Sequence, residues 1–283
     1  MAHFTSWDGI RLGYRRAGHG RPLVCLPGGP GRTPDYLGDL GGLAGTRELI
    51  LPDTRGTGAS EVPADPGTFR CDRLAQDVEA LRAELGLARM DLLAHSAAGS
   101  VALLYAAAHP KRIDHLVLVT PGLRALGLEL TGEEQQAAMR RRSAEPWYPA
   151  AAAAAQAAEA GDDSDQTRLA YLPFFYGRWD EAARAHAFVG MSERARPVRA
   201  GMYCDGAFDP PVTRAALAGL AAPVLVFAGE ADIGPTPEFA AEAVRLFPGW
   251  ALAVQPGAGH FPWLDDPAWF TAAVTAFLDD PPG

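Results

Sequence analysis

The stretch Met90-Asp91-Leu92-Leu93-Ala94-His95-Ser96-Ala97-Ala98-Gly99-Ser100-Val101-Ala102-Leu103-Leu104 decides how this chain is read. An apolar run of strand character meets one serine among small residues, and a helical run follows at once. A strand-to-helix turn of this kind is a nucleophile elbow, which lifts a serine hydroxyl above the edge of a sheet. Its common form is G-x-S-x-G. Here Ala94 and Ala98 take the glycine positions, and both are small enough for the neighbouring strand and helix to close around the turn. A serine that merely caps a helix leaves the same local trace, so the decision rests on the rest of the chain.

Outward from the elbow, short apolar runs alternate with helical spacing. Leu23 to Leu26, Glu48 to Leu51, Asp91 to Leu93, Leu116 to Val119, Pro223 to Gly229 and Trp250 to Val254 read as strands. Phe4 to Trp7 and Ile10 to Arg16 form a hairpin about Asp8-Gly9. Asp72 to Leu85, Ser100 to Ala108, Pro237 to Phe247 and Pro267 to Leu278 read as helices. Wholly apolar strands between helices predict a mostly parallel eight-stranded sheet covered on both faces. The rhythm stops after Pro121-Gly122. A helical insertion is expected after the sixth strand, with a capped start at Thr131, an alanine helix over Ala150 to Ala160 and a further helix over Asp180 to Val189. The division is therefore a core domain of 1–122 and 211–283 and a helical cap of 123–210. Trp147, Tyr148, Phe174, Phe175 and Trp179 serve either as the cap's own core or as a ligand face.

Composition narrows the function. The chain has 283 residues, 48% of them hydrophobic, and a formal net charge of -9, enough for one large domain with an insertion. It carries no basic stripe, so nucleic acid is not an expected partner. Cys25, Cys71 and Cys204 are scattered, without the spacing of a disulfide framework or a zinc site. No signal-peptide pattern and no membrane-spanning run is present. The expectation is a soluble cytoplasmic protein with no metal and no cofactor, its oligomeric state unassigned.

A serine nucleophile needs a base and an acid to orient it. An elbow serine is followed along the chain by the acid and then the histidine. Gly229-Glu230-Ala231-Asp232 follows the seventh strand, and Gly257-Ala258-Gly259-His260 follows the eighth. All three groups fall at carboxyl ends of strands, where parallel sheets gather ligands. Ser96, Asp232 and His260 are therefore the expected triad, with Glu230 the rival acid. Ala97 offers one backbone N–H to a developing oxyanion. Pro27-Gly28-Gly29-Pro30-Gly31 offers the second, from Gly29 with Gly28 next. His95 is expected to point away from the hydroxyl.

With these residues in place the chain resembles the α/β-hydrolase superfamily and, within it, the proline iminopeptidase-like serine hydrolases. Leu26 to Gly31 is similar to that family's His-Gly-Gly-Pro-Gly, and Asp53-Thr54-Arg55-Gly56-Thr57-Gly58-Ala59-Ser60 to its Asp-x-Arg-Gly-x-Gly-x-Ser. The resemblance implies an aminopeptidase acting on short peptides or aminoacylated small molecules, through acids that hold a free amine. Three departures stand out: Pro27 replaces the leading histidine, Ala97 replaces a tryptophan, and no glutamate occurs in Met202 to Asp209. Asp205, Asp209, Glu193 and Glu230 are the candidate amine-binding acids, with Gly28 and Tyr203 as further substrate contacts. An esterase or lactonase without amine recognition is the alternative. A ligand-binding receptor with slow turnover is the alternative of another class.

Overall fold

The computed structural model describes residues 1–192 and 196–280. Eight strands form one sheet: β1 Ala2–Thr5, β2 Arg11–Gly18, β3 Arg21–Leu26, β4 Arg47–Pro52, β5 Met90–His95, β6 Ile113–Val119, β7 Val224–Gly229 and β8 Ala251–Gln255. Their order is β1-β2-β4-β3-β5-β6-β7-β8. β1 and β2 pair antiparallel, and β2 runs antiparallel to β4. From β4 through β8 every pairing is parallel. The chain is the mostly parallel α/β sheet that the strand rhythm predicts.

Strand side chains alternate between two cores, as a period of two demands. Val24, Leu92, Leu116 and Val226 join one buried cluster, and Leu23, Leu93, Val117 and Phe227 join the other. The first face is covered by α1 Cys71–Glu84, α2 Ala98–Ala108, α8 Pro210–Leu217 and α9 Pro237–Leu246. The second is covered by α11 Pro267–Asp279 and by the turn around Tyr36 to Leu43. A short α10, Pro262–Asp265, precedes α11.

Between β6 and α8 lie five helices: α3 Gly132–Arg141, α4 Tyr148–Glu159, α5 Asp165–Tyr171, α6 Glu181–Ser192 and α7 Arg196–Gly201. α3 opens with a capping box, in which Thr131 and Glu134 satisfy each other's backbone N–H, the device that stabilises an exposed first turn. Ala138, Met139, Ala151, Ala155 and Phe174 of this segment form a small core with Ile233 from the loop after β7, and Trp147 and Tyr148 pack against it. The aromatic cluster thus divides. Phe174 is in that core, whereas Phe175 faces the cleft described below. No described helix is long and apolar enough to cross a membrane.

The Asp53 to Ser60 stretch is held by its own network. Ser60 Oγ donates to the Asp53 carbonyl, and the Ala59 N–H donates to Asp53 Oδ2. Arg55 is fully buried and donates from Nε to Asp77 Oδ2 at 2.8 Å and from Nη1 to Asp8 Oδ2 at 2.7 Å. A buried guanidinium is tolerated because two carboxylates meet it. This stretch lines an apolar cavity behind the Pro27–Gly31 loop, with Leu74, Val78 and Val101.

Candidate active site

Ser96 stands between the end of β5 and the start of α2, with φ of 54°. Left-handed backbone at a non-glycine residue is strained, and surrounding bonds must hold it. They do so here. The Ser96 N–H donates to the Val119 carbonyl at 3.0 Å, and the Ser96 carbonyl accepts from Gly99 and Gly122 at 2.9 and 2.8 Å. Ala94 and Ala98 are both buried, and methyl groups fit where the common motif carries glycines.

Ser96 Oγ lies 2.9 Å from His260 Nε2, and His260 Nδ1 lies 2.8 Å from Asp232 Oδ2. The carboxylate only accepts, so Nδ1 carries the hydrogen and Nε2 faces the serine as an acceptor. Asp232 Oδ1 accepts from the Gly234 N–H at 3.0 Å, which leaves the acid no freedom to turn. Asp232 and His260 are buried, and Ser96 remains partly accessible. Glu230 is exposed and accepts from the Gly257 N–H at 2.8 Å. It braces the histidine's loop and does not compete for the imidazole.

The Pro27–Gly31 loop passes directly over the elbow. A Cβ on Gly28 would meet the His95 carbonyl oxygen at 2.6 Å and Ser96 Cβ at 2.8 Å, so only glycine permits this approach. The Gly28 N–H donates to Tyr36 Oη at 2.6 Å. The backbone donor of Gly28 is thereby engaged. The Gly29 and Ala97 N–H groups have no acceptor among the described residues. Ala97 also begins the first turn of α2, where the helix dipole favours negative charge. Both residues border the space in front of Ser96.

His95 points away from the serine hydroxyl and is buried under the loop. Its Nδ1 is 2.7 Å from Tyr36 Oη, and its Nε2 is 2.9 Å from the His260 carbonyl. Burial pushes its pKa well below the usual histidine range, and the neighbouring His260 adds to that.

The comparisons with known proteins agree with this geometry. Residues 21–267 match the family described as alpha/beta hydrolase fold. The chain belongs to that family. It is 28% identical over 277 residues to the proline iminopeptidase of Levilactobacillus brevis, covering 91% of this chain and 88% of the relative. An esterase structure from a Rhodococcus species is 27% identical, with a TM-score of 0.74 and coverage of 99% and 98%. The proline iminopeptidase structure from Mycobacterium smegmatis, at 23% identity and a TM-score of 0.74 over 98% and 97% of the two chains, has the same fold. The chain is an α/β hydrolase that is similar to a proline iminopeptidase and to an esterase.

The cleft of this α/β hydrolase holds Ser96, His260, Gly29, Tyr203, Phe175, Arg32 and Arg124. Tyr203 lies where a substrate contact was expected, with the Arg124 guanidinium 4.4 Å above its ring. The acids do not come with it. Asp205 is exposed outside the cleft, and Asp209 caps α8 by accepting from the Val212 N–H at 3.2 Å. Asp205, Asp209 and Glu230 each sit in a turn or cap that uses the carboxylate locally or leaves it in solvent. Glu193 lies outside the described residues.

Three further residues hold the site. Asp265 accepts from the N–H groups of Gly259, Gly177 and Arg178 at 2.8, 3.1 and 3.1 Å, which clamps the histidine loop to the inserted segment. Burial raises its pKa despite those three donors. Arg142 is buried and donates to the carbonyls of Tyr176, Gly177 and Ala231. The His260 N–H donates to the Phe175 carbonyl at 2.8 Å. The third is Tyr36. Sequence patterns miss all three because each is tied to distant partners: Asp265 to Gly177 and Arg178, Arg142 to Tyr176, Gly177 and Ala231, and Tyr36 to His95.

Proposed function

We propose that this chain is a serine hydrolase that cleaves a small ester or lactone through an acyl-enzyme at Ser96. The observation that carries the reading is the unbroken bonding from Ser96 Oγ through His260 to Asp232, at 2.9 and 2.8 Å. Ser96 Oγ attacks the substrate carbonyl as its proton passes to His260 Nε2. Asp232 stabilises the imidazolium that forms. The new oxyanion receives the Gly29 and Ala97 N–H groups, which need no rearrangement when charge appears. Collapse breaks the bond to the leaving oxygen, and His260 returns its proton there. Water, deprotonated by His260, then attacks the acyl carbonyl and releases the carboxylic acid and free Ser96.

The expected amine-binding acids Asp205, Asp209 and Glu230 do not line the cleft, which supports an ester over a free-amine substrate. Arg32 and Arg124 line the cleft, and Glu129, 3.6 Å from Arg124 Nε, lines the adjoining space in front of Ser96. The aminopeptidase reading is the second one, and the similarity to the Levilactobacillus brevis proline iminopeptidase supports it.

One substrate set separates the two. A p-nitrophenyl butyrate, an aminoacyl-β-naphthylamide and its N-acetylated form are compared on wild type and on Ser96→Ala. The ester reading expects turnover of the butyrate with no preference for the free amine. Turnover only of the free-amine naphthylamide would replace it with the aminopeptidase. Binding of these compounds without Ser96-dependent turnover of any of them would point to a receptor instead.

A further inference from the structure

The oxyanion loop has an unusual support. Pro27 begins it with neither a backbone N–H nor a polar side chain, so the loop's first residue supplies no donor to hold it. The holder is Tyr36, 3% exposed, at the start of the second face's cover. Its hydroxyl is within 2.6 Å of the Gly28 nitrogen and 2.7 Å of His95 Nδ1. His95 Nε2 is within 2.9 Å of the His260 carbonyl oxygen.

Chemistry leaves one direction for these bonds. A backbone N–H only donates and a carbonyl only accepts. The Gly28 N–H therefore donates to Tyr36 Oη. At the other end His95 Nε2–H donates to the His260 carbonyl, so Nδ1 is the bare nitrogen. Tyr36 O–H must then donate to Nδ1. Every group is used once, in one order, from the oxyanion loop to the backbone of the triad histidine. Thr120 Oγ1 donates to the same carbonyl at 3.0 Å, so the far end is anchored twice.

We propose that Tyr36 and His95 are positioning residues that set the distance between the oxyanion donor Gly29 and the base His260. The inference rests on the reading of Ser96 as a nucleophile with Gly29 as a donor. Gly29 follows Gly28 directly, and the Gly28 amide has one place to bond. Freeing that amide lets the loop turn, and the Gly29 N–H leaves the point where the oxyanion forms. Tyr36 itself is immobilised from two more sides. The Arg32 guanidinium lies 3.9 Å above its ring. From α6, His186 Nε2 donates to its backbone carbonyl at 3.0 Å, while Tyr176 Oη donates to His186 Nδ1 at 2.8 Å. The inserted segment thus seats on the residue that holds the loop.

The test uses Tyr36→Phe and His95→Gln, singly and together, in the full chain. Phenylalanine keeps the ring and removes the hydroxyl. Glutamine keeps a donor for the His260 carbonyl, and its oxygen, bonded to the same carbon as that donor, does not stand where Nδ1 meets Tyr36. The readouts are kcat and KM on p-nitrophenyl butyrate and the rate of Ser96 labelling by a fluorophosphonate, whose phosphonyl oxygen uses the same donors. Each single variant is expected to lower kcat and labelling together by about 10- to 100-fold, with KM nearly unchanged. The double variant is expected to be no worse than the poorer single one, because one chain of bonds is broken once or twice. Single variants that keep kcat within about twofold would overturn the proposal, as would a rise in KM alone or fully additive losses. If Tyr36→Phe does not fold, the kcat of His95→Gln decides by the same limits. Failure of the underlying reading has a different signature: wild type itself would show no Ser96-dependent labelling.

Discussion

Two buried Asp–His pairs lie at opposite edges of this sheet, and their bonds are equally short. Asp232 and His260 meet at 2.8 Å at the carboxyl ends of the strands, and Asp91 and His115 meet at 2.8 Å at the amino ends. What differs is the second imidazole nitrogen. His260 Nε2 faces Ser96 Oγ at 2.9 Å beside an open cleft, whereas His115 Nε2 donates to the Asp280 carbonyl at 2.9 Å. His115 is sealed against Phe277, and Asp91 is also approached by Arg21 Nε at 3.1 Å. An aspartate beside a histidine is therefore no sign of catalysis by itself. A nucleophile on the free nitrogen and room for a substrate make the difference, and the chain offers both only where parallel strands end.

The comparison is broken most directly by removing the same charge from each pair. Asp232→Asn should lower kcat by about 10⁴-fold, since the amide favours the wrong imidazole tautomer. Asp91→Asn should leave kcat within about twofold and lower stability by about 1–3 kcal/mol, the cost of an unpaired buried partner. Steady-state kinetics and urea unfolding on both variants check this. Comparable kinetic damage from Asp91→Asn would erase the distinction between the edges.

Asp265 supplies a middle case, because it holds the histidine loop without touching the imidazole. Asp265→Asn presents an amide to backbone donors that now meet a carboxylate. We expect kcat to fall about tenfold through displacement of His260, with a loss of about 1–3 kcal/mol in urea unfolding. An unchanged kcat would mean that the loop keeps its place without the clamp.

The last case is His186, which sides with His115 in using both nitrogens for structure. Burial lowers its pKa to about 4. The unfolded histidine binds its proton below about 6.5, before the folded one does, so stability falls as pH drops from about 6.5 to about 4. The shift corresponds to a loss on the order of 3 kcal/mol across that window. His186→Gln should flatten that part of the stability-against-pH curve in urea unfolding at pH 7, 6, 5 and 4. An equally steep variant curve would assign the slope to other groups.

The floor of the site was more legible than its walls. The strands, the elbow, the order Ser96, Asp232, His260 and the Gly29 loop all follow from short-range signals, because strand ends and tight turns constrain neighbouring residues. Helix boundaries mostly fell within a residue or two. α5, α7, α8 and α10 left no separate trace, being only seven, six, eight and four residues long. Cleft-facing residues behave differently. Asp205, Asp209 and Glu230 carry the charge that an amine site needs, but nearby backbone groups or solvent take it up. Tyr36, Arg142 and Asp265 look like ordinary residues in sequence and gain their roles from distant carbonyls and amides. The split of Phe174 into a core and Phe175 into the cleft turns on one step of a short helical turn.

The central claim, that Ser96 carries the acyl group, is tested most directly by intact-mass spectrometry after mixing with p-nitrophenyl butyrate and quenching in acid within a turnover. The account expects wild type to gain one butyryl group, mapped by peptide analysis to Ser96, and Ser96→Ala to gain none. A butyryl group on another residue, or an acylated Ser96→Ala with turnover intact, would contradict it.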